Sequence, residues 1–192
     1  MLDSSYLTNP AVFVVQVVFG LYVLVVMLRF LLQLLRADFY NPVSQLVVKL
    51  TTPVLRPLRR VIPGAWGLDL SSLLVAWVLT AVELALMAGL LDLDFHPLAP
   101  LAWAIAELVA LVLNIFLFAI VVQAILSWVS TGRHSPAGAL LENLTAPLLQ
   151  PLRRLIPPVS ALDLTPMVAA IGLVLLKMLA LPPLDAITRN PF

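Results

Sequence analysis

The sequence predicts an all-α membrane protein: four transmembrane helices as two tandem parallel repeats, each a helix, an amphipathic proline/arginine-rich interfacial segment, and a helix. Three observations carry this. The 192-residue chain is 62% hydrophobic and 11% charged, with mean hydropathy +1.07, whereas charged residues make up about 25% of a soluble domain. Four stretches reach the roughly 20 apolar residues that a helical span requires. One thirteen-residue segment occurs twice.

The expected spans lie at about 11–35, 72–91, 101–129 and 166–184. Their residues are apolar at nearly every position, without the alternation of a barrel strand. The first ten residues carry Asp3 and no base, and no small-residue cleavage site follows a short apolar core. The first span is therefore expected to remain rather than be removed as a signal. The chain has no cysteine, which excludes disulfides, thiolate metal sites and thiol redox chemistry.

"TTPVLRPLRRVIP" from Thr51 aligns with "TAPLLQPLRRLIP" from Thr145, nine of thirteen positions being identical at an offset of 94. Asp69-Leu70 recurs as Asp163-Leu164. The chain divides into a first unit at 1–97 and a second at 98–192. Each unit holds two spans, an even number, so both enter the membrane in one direction and the repeats are parallel. Arg36, Lys49, Arg56, Arg59, Arg60, Arg133, Arg153 and Arg154 fall in the two motif loops, while the linker "DLDFHPLAP" has no base. The positive-inside bias then places the motif loops in the cytoplasm and both termini and the linker outside, with Arg189 dissenting.

Within each motif, Pro42 after Asn41 reads as a first helical position, with Val43, Leu46, Val47 and Leu50 at helical spacing; Ser135 and Pro136 begin the same pattern with Leu140, Leu141 and Leu144. These suggest amphipathic helices of about ten residues, too short to span. Pro53 and Pro57, and in the second copy Pro147 and Pro151, are expected to kink or end them. Leu55, Leu58 and Ile62 would face the acyl region. Arg56, Arg59, Arg60, Arg153 and Arg154 would meet lipid phosphates, a partner, or the following acid. Asp69 and Asp163 precede the second helix of each unit. They either complement its N-terminus or lock the loop by pairing with Arg59 or Arg60, and with Arg153 or Arg154. Ser71 and Thr165 read as the N-caps.

The doubled pattern of N/S-P, L-T-x-P-x-L-x-P-L-R-R-x-I-P and D-L-S/T on four spans resembles the YggT family, called YlmG in cyanobacteria and Gram-positive bacteria. Gln150 in place of Arg56 and Pro158 in place of Gly64 make the second loop less basic and stiffer. The resemblance implies a multi-pass protein of the bacterial inner membrane. It also implies links to cell division, nucleoid or septum placement, osmotic tolerance and potassium uptake, and in plastids to cytochrome b6 assembly.

His96 and His134 fall in loops on opposite expected sides and cannot share a metal or haem. No phosphate loop, nucleophile elbow or HExxH pair is present. Neither an enzyme nor a bound cofactor or metal is expected, and no nucleic-acid partner. The ionisable groups within spans are Arg29, Glu83, Glu107 and Lys177, with Gln16, Gln33, Asn114, Gln123 and Ser127 as neutral companions. At the repeat offset Arg29 maps onto Gln123 and Glu83 onto Lys177. Arg29 suits a snorkelling anchor, Asn114 and Gln123 interhelical hydrogen-bond glue. Glu83, Glu107 and Lys177 fall about 8–12 Å below the outer boundary at about 1.5 Å per residue, so Lys177 is expected to contact one of the acids. The expected function is a scaffold or assembly factor whose basic loops bind anionic lipid, a membrane-protein partner or a second copy. The alternatives are an oligomer conducting or regulating ions along Glu83, Glu107 and Arg29, and lipid handling by the basic loops.

Overall fold

The computed structural model describes residues 5–62, 64, 68–129, 135–155 and 163–192. Among these residues six helices follow one another: α1 Ser5–Leu34, α2 Pro42–Val61, α3 Leu70–Leu90, α4 Ala99–Val129, α5 Pro136–Leu155 and α6 Thr165–Thr188. Four are long and apolar enough to cross a membrane, over Thr8–Leu34, Leu70–Leu90, Ala99–Leu126 and Thr165–Thr188. These are the expected spans, with α6 running past Pro182 and Pro183 to Thr188. Pro63, Arg133, His134 and residues 156–158 lie outside the described residues, as does the side chain of Ser127.

The repeat governs packing. In the first unit α1 lies against α3 and α2 against both; α4, α6 and α5 repeat this arrangement in the second unit. The units join where α3 packs on α4, and where α2 meets α5. That second contact puts both motif helices at one end of the bundle, as parallel repeats require. Asn41 closes it, donating through Nδ2 to the Pro136 carbonyl at 2.6 Å. A shared core of Val26, Met27, Val75, Ala76, Ile115 and Ala119 fills the interior, and Leu55 of α2 and Leu144 of α5 enter it from the motif end. At the other end the small residues Ala81, Ala88 and Ala104 let α3 and α4 approach closely around Trp103.

The motif segments differ from the sequence expectation. Each is one continuous 20-residue helix, with Pro53 and Pro57 inside α2 and Pro147 and Pro151 inside α5. The prolines stand four residues apart on the exposed side, so the lost donors fall on one strip and the carbonyls they free turn outward. The packed side is held by burial: Ser44, Val47, Thr51 and Leu55 are buried at helical spacing. Leu55 therefore sits in the protein core rather than facing the acyl region, with Leu58 packed against it.

Candidate functional site

α2 starts as the sequence predicts. Asn41 caps it, accepting from the Val43 amide at 2.9 Å, with Pro42 in the first turn. Ser135 caps α5, its Oγ accepting from the Gly138 amide at 3.0 Å.

Arg29 is not a snorkelling anchor. It is 8% exposed and donates from Nη1 to the Thr51 hydroxyl at 2.8 Å, the Val48 carbonyl at 3.0 Å and the Thr52 hydroxyl at 3.3 Å. Thr51 in turn donates to the Val47 carbonyl at 2.7 Å. α2 thus offers a ready nest of oxygens, and a guanidinium held there has no reason to reach for headgroups. In the second unit Thr145 meets Gln123 and donates to the Leu141 carbonyl at 2.9 Å. The Gln123 atom at this contact is the side-chain oxygen, so Oε1 and the Leu141 carbonyl compete for the one hydroxyl proton of Thr145. Both threonines are fully buried. Their place in the repeated motif was the sequence signal for this pivot.

The motif ends are fastened by the acids. Asp69 pairs with Arg59 and also caps α3, accepting from Ser72; the two alternatives left open by the sequence coexist. Asp163 pairs with Arg153 at 3.1 Å and accepts from the Thr165 amide at 2.9 Å. Ser71 is not the cap expected of it: it donates to the Ile62 carbonyl at 2.9 Å, tying the end of α2 to α3. Thr165 is the first residue of α6 rather than its cap. Burial pushes the Asp69 carboxyl up, but Arg59 and Ser72 outweigh that and hold it below the usual carboxylate range. Thr165, joined by Arg153, holds Asp163 below that range. The first pair is nearly enclosed at its acid, 3% exposed; the second is open, with Asp163 42% exposed.

With Arg59 and Arg153 committed to these acids, Arg56, Arg60 and Arg154 are the exposed arginines of α2 and α5 that bond no other described side chain. Beside them on α2 runs an exposed apolar strip of Val43, Leu46, Leu50, Val54 and Val61. At about 100° per residue, α2 carries a face packed on the protein, an apolar face and a basic face in succession. α5 keeps the packed face through Leu144, Thr145 and Leu149 and exposes Leu155 beside Arg154.

The expected contact of Lys177 with Glu83 or Glu107 does not form. Lys177 donates to Asn114 Oδ1 on α4 at 2.9 Å. The reason lies in the repeat: α6 packs on α4 as α3 packs on α1, so Lys177 faces the second unit's own partner helix. Glu83 and Glu107 instead line one cavity with Gln16 and Thr80, and Glu107 accepts from the Asn190 amide at 3.4 Å. Thr80 and the unit-specific Gly20 at that cavity went unread in the sequence, since neither carries charge or belongs to the motif.

No solved structure matches the chain. An uncharacterised protein of Pseudomonas aeruginosa is 42% identical, covering 96% of this chain and 95% of the relative. Another, from Vibrio alginolyticus, is 41% identical over 86% of this chain and 90% of its own length. The uncharacterised protein YggT of Escherichia coli K12 is 40% identical over 88% of each. The sequence profile described as CCB3/YggT matches residues 8–90 and again 102–184, so its second match starts 94 residues after the first (8 to 102). That is the spacing of the internal repeat. The chain belongs to the CCB3/YggT family of multi-pass membrane proteins.

Proposed function

We propose that this protein is an inner-membrane scaffold whose α2 and α5 helices lie in the cytoplasmic interface and gather anionic phospholipid through Arg56, Arg60 and Arg154. The observation that carries this reading is the three-faced α2: packed on the bundle through Thr51 and Leu55, apolar through Leu46, Leu50 and Val54, and basic through Arg56 and Arg60. A helix so divided suits the boundary between acyl chains and headgroups. The Arg29 and Gln123 contacts hold each helix to its span, so the basic faces are a preformed platform rather than a mobile loop.

The reading is tested on the full chain in detergent by native mass spectrometry with phosphatidylglycerol and phosphatidylcholine. The wild type is expected to retain phosphatidylglycerol in preference. Arg56→Gln, Arg60→Gln and Arg154→Gln together should erase the preference, each base contributing on the order of 1 kcal/mol. An unchanged preference in a folded triple variant overturns the proposal. The ion-conducting alternative draws on a different feature, the polar cavity at the far end of the bundle.

A further inference from the structure

We propose that copies of this chain join head to tail in the membrane, the free face of α6 in one copy seating on the free face of α1 in the next. The proposal stands on helix packing and does not depend on the lipid platform.

The two units meet through unlike surfaces. α3 of the first packs on α4 of the second, although at the 94-residue offset α3 corresponds to α6 and α4 to α1. A closed two-fold arrangement of the units would therefore also pack α6 on α1. Among the described residues these helices make no comparable contact. The junction is used once, and the two surfaces that would repeat it are left open on α6 and on α1.

Exposure follows the same division. Ala81, Leu84 and Ala88 of α3 are buried beside Trp103 and Ala104 of α4, whereas their equivalents on α6, Leu175, Met178 and Pro182, are exposed. Across the junction Ala104, Leu108 and Ile115 of α4 are buried, while Pro10, Val14 and Leu21 of α1 are exposed. The contrast is large: Leu84 is 4% exposed and Met178 67%, Ile115 6% and Leu21 60%. The units pack their own helices alike, so what covers these positions in one unit and not in the other is the neighbouring unit. At the motif end Leu144 of α5 is buried and its equivalent Leu50 on α2 is exposed.

A second copy supplies both missing sides. Its α1 carries the equivalent of the α4 surface and its α6 the equivalent of the α3 surface, so one kind of contact covers both free faces. Their sizes also trade. The internal junction is small on α3, at Ala81 and Ala88, and large on α4, at Trp103 and Leu108; the free faces are large on α6, at Leu175 and Pro182, and smaller on α1, at Asn9 and Val14. Bulk lost from one side reappears on the other, as close packing requires. None of these residues is ionisable, and helices in membranes associate through such packing.

A contact between unlike surfaces propagates until it closes. With the repeat axis along the membrane normal, closure gives a ring in the membrane plane with every motif helix on one side. Arg56 and Arg60 stay open in such a ring, because their equivalents Gln150 and Arg154 are exposed in the unit that already has a neighbour.

The chain has no cysteine, so introduced thiols report the contact alone. Leu175→Cys and Val14→Cys are placed on separate, differently tagged full-length chains, co-expressed at low level and oxidised in native membranes. The mixed chains should form a covalent dimer, and a chain carrying both cysteines should form a ladder of larger species. Ile171→Cys with Val18→Cys repeats the test one turn nearer the motif end. All four side chains are exposed, so cysteine removes no packing within the chain. Leu176→Cys is the control: Leu176 and its equivalent Val82 are both exposed, so this face lies outside the junction and should give no dimer with Val14→Cys. Absence of a dimer from both mixed pairs overturns the proposal. So does a dimer from Leu175→Cys alone, which would mean a two-fold contact, or an equal yield from Leu176→Cys, which would mean chance encounter between faces covered by lipid.

Discussion

Arg29 and Thr51 meet at 2.8 Å where α1 hands the chain to α2, and 94 residues later Gln123 and Thr145 meet at the equivalent place. Each contact hangs a motif helix on the span before it. The hook differs in charge: a guanidinium over three oxygens in the first unit, a single amide in the second. The pivot is conserved between the units while its strength is not.

Thr51→Val should therefore cost more than Thr145→Val. A hydrogen bond to a charged group is worth about 1.5–3 kcal/mol and a neutral one about 1 kcal/mol, with values inside membranes toward the lower end. Chemical unfolding of the two variants in mixed micelles measures the difference. Equal losses would mean that the Arg29 charge is satisfied by Val48 and Thr52 without Thr51.

Asp69→Asn should weaken the protein at neutral pH by about 1–2 kcal/mol, because the acid is enclosed while Arg59, 38% exposed, regains water. Asparagine still caps α3, which isolates the ion pair. Asp163→Asn should cost under about 1 kcal/mol at its open pair. Both carboxyls sit below their ordinary value in the folded state. Their contribution is then complete above the unfolded value of about 3.9 and is lost as pH falls below it. Stability of the wild type should drop below about pH 4, and the drop should be shallower in Asp69→Asn. Identical pH profiles would remove Asp69 from the account.

The spans, the tandem repeat and the acids that fasten each motif were legible because each rests on a pattern in one dimension: apolar run length, self-alignment, charge at a helix start. What depends on partners across the bundle was not. Arg29 six residues inside its span reads as a snorkeller until α2 folds back with Thr51, Thr52 and the Val48 carbonyl. Proline inside "TPVLRPLRRVIP" reads as a break, because its cost is local and the burial of Val47, Thr51 and Leu55 that carries the helix through is not. Lys177 reads as the partner of acids at its own depth. The repeat, which dictates that α6 faces α4, points to Asn114 through the equivalence of Lys177 with Glu83 and of Asn114 with Gly20.

Pro53→Ala and Pro57→Ala should stabilise α2. Proline within a helix is disfavoured by about 3 kcal/mol relative to alanine, offset in part by about 0.4–1 kcal/mol from the stiffer unfolded chain. Both prolines are exposed, so no packing is lost. A gain of about 1–3 kcal/mol for each, read by unfolding and by helix content in circular dichroism, is expected. A loss would show that the freed carbonyls or the local bend make contacts that the continuous helix does not reveal.

Lys177 and Asn114 should be energetically coupled, and a double-mutant cycle with Lys177→Met and Asn114→Ala reads the coupling directly. Methionine keeps the length of the chain and removes the ammonium from a span that is otherwise apolar around it, so Lys177→Met alone should be neutral or stabilising, by up to about 2–3 kcal/mol if the charge is unassisted at depth. Asn114→Ala should weaken the protein while Lys177 is present, because the ammonium then loses the acceptor 2.9 Å away on α4. In the Lys177→Met background the same change should be nearly silent. Interhelical polar contacts in membranes reach about 0.6–1.7 kcal/mol, and the coupling should fall in that range. A coupling of zero would mean that the lysine reaches the interface instead.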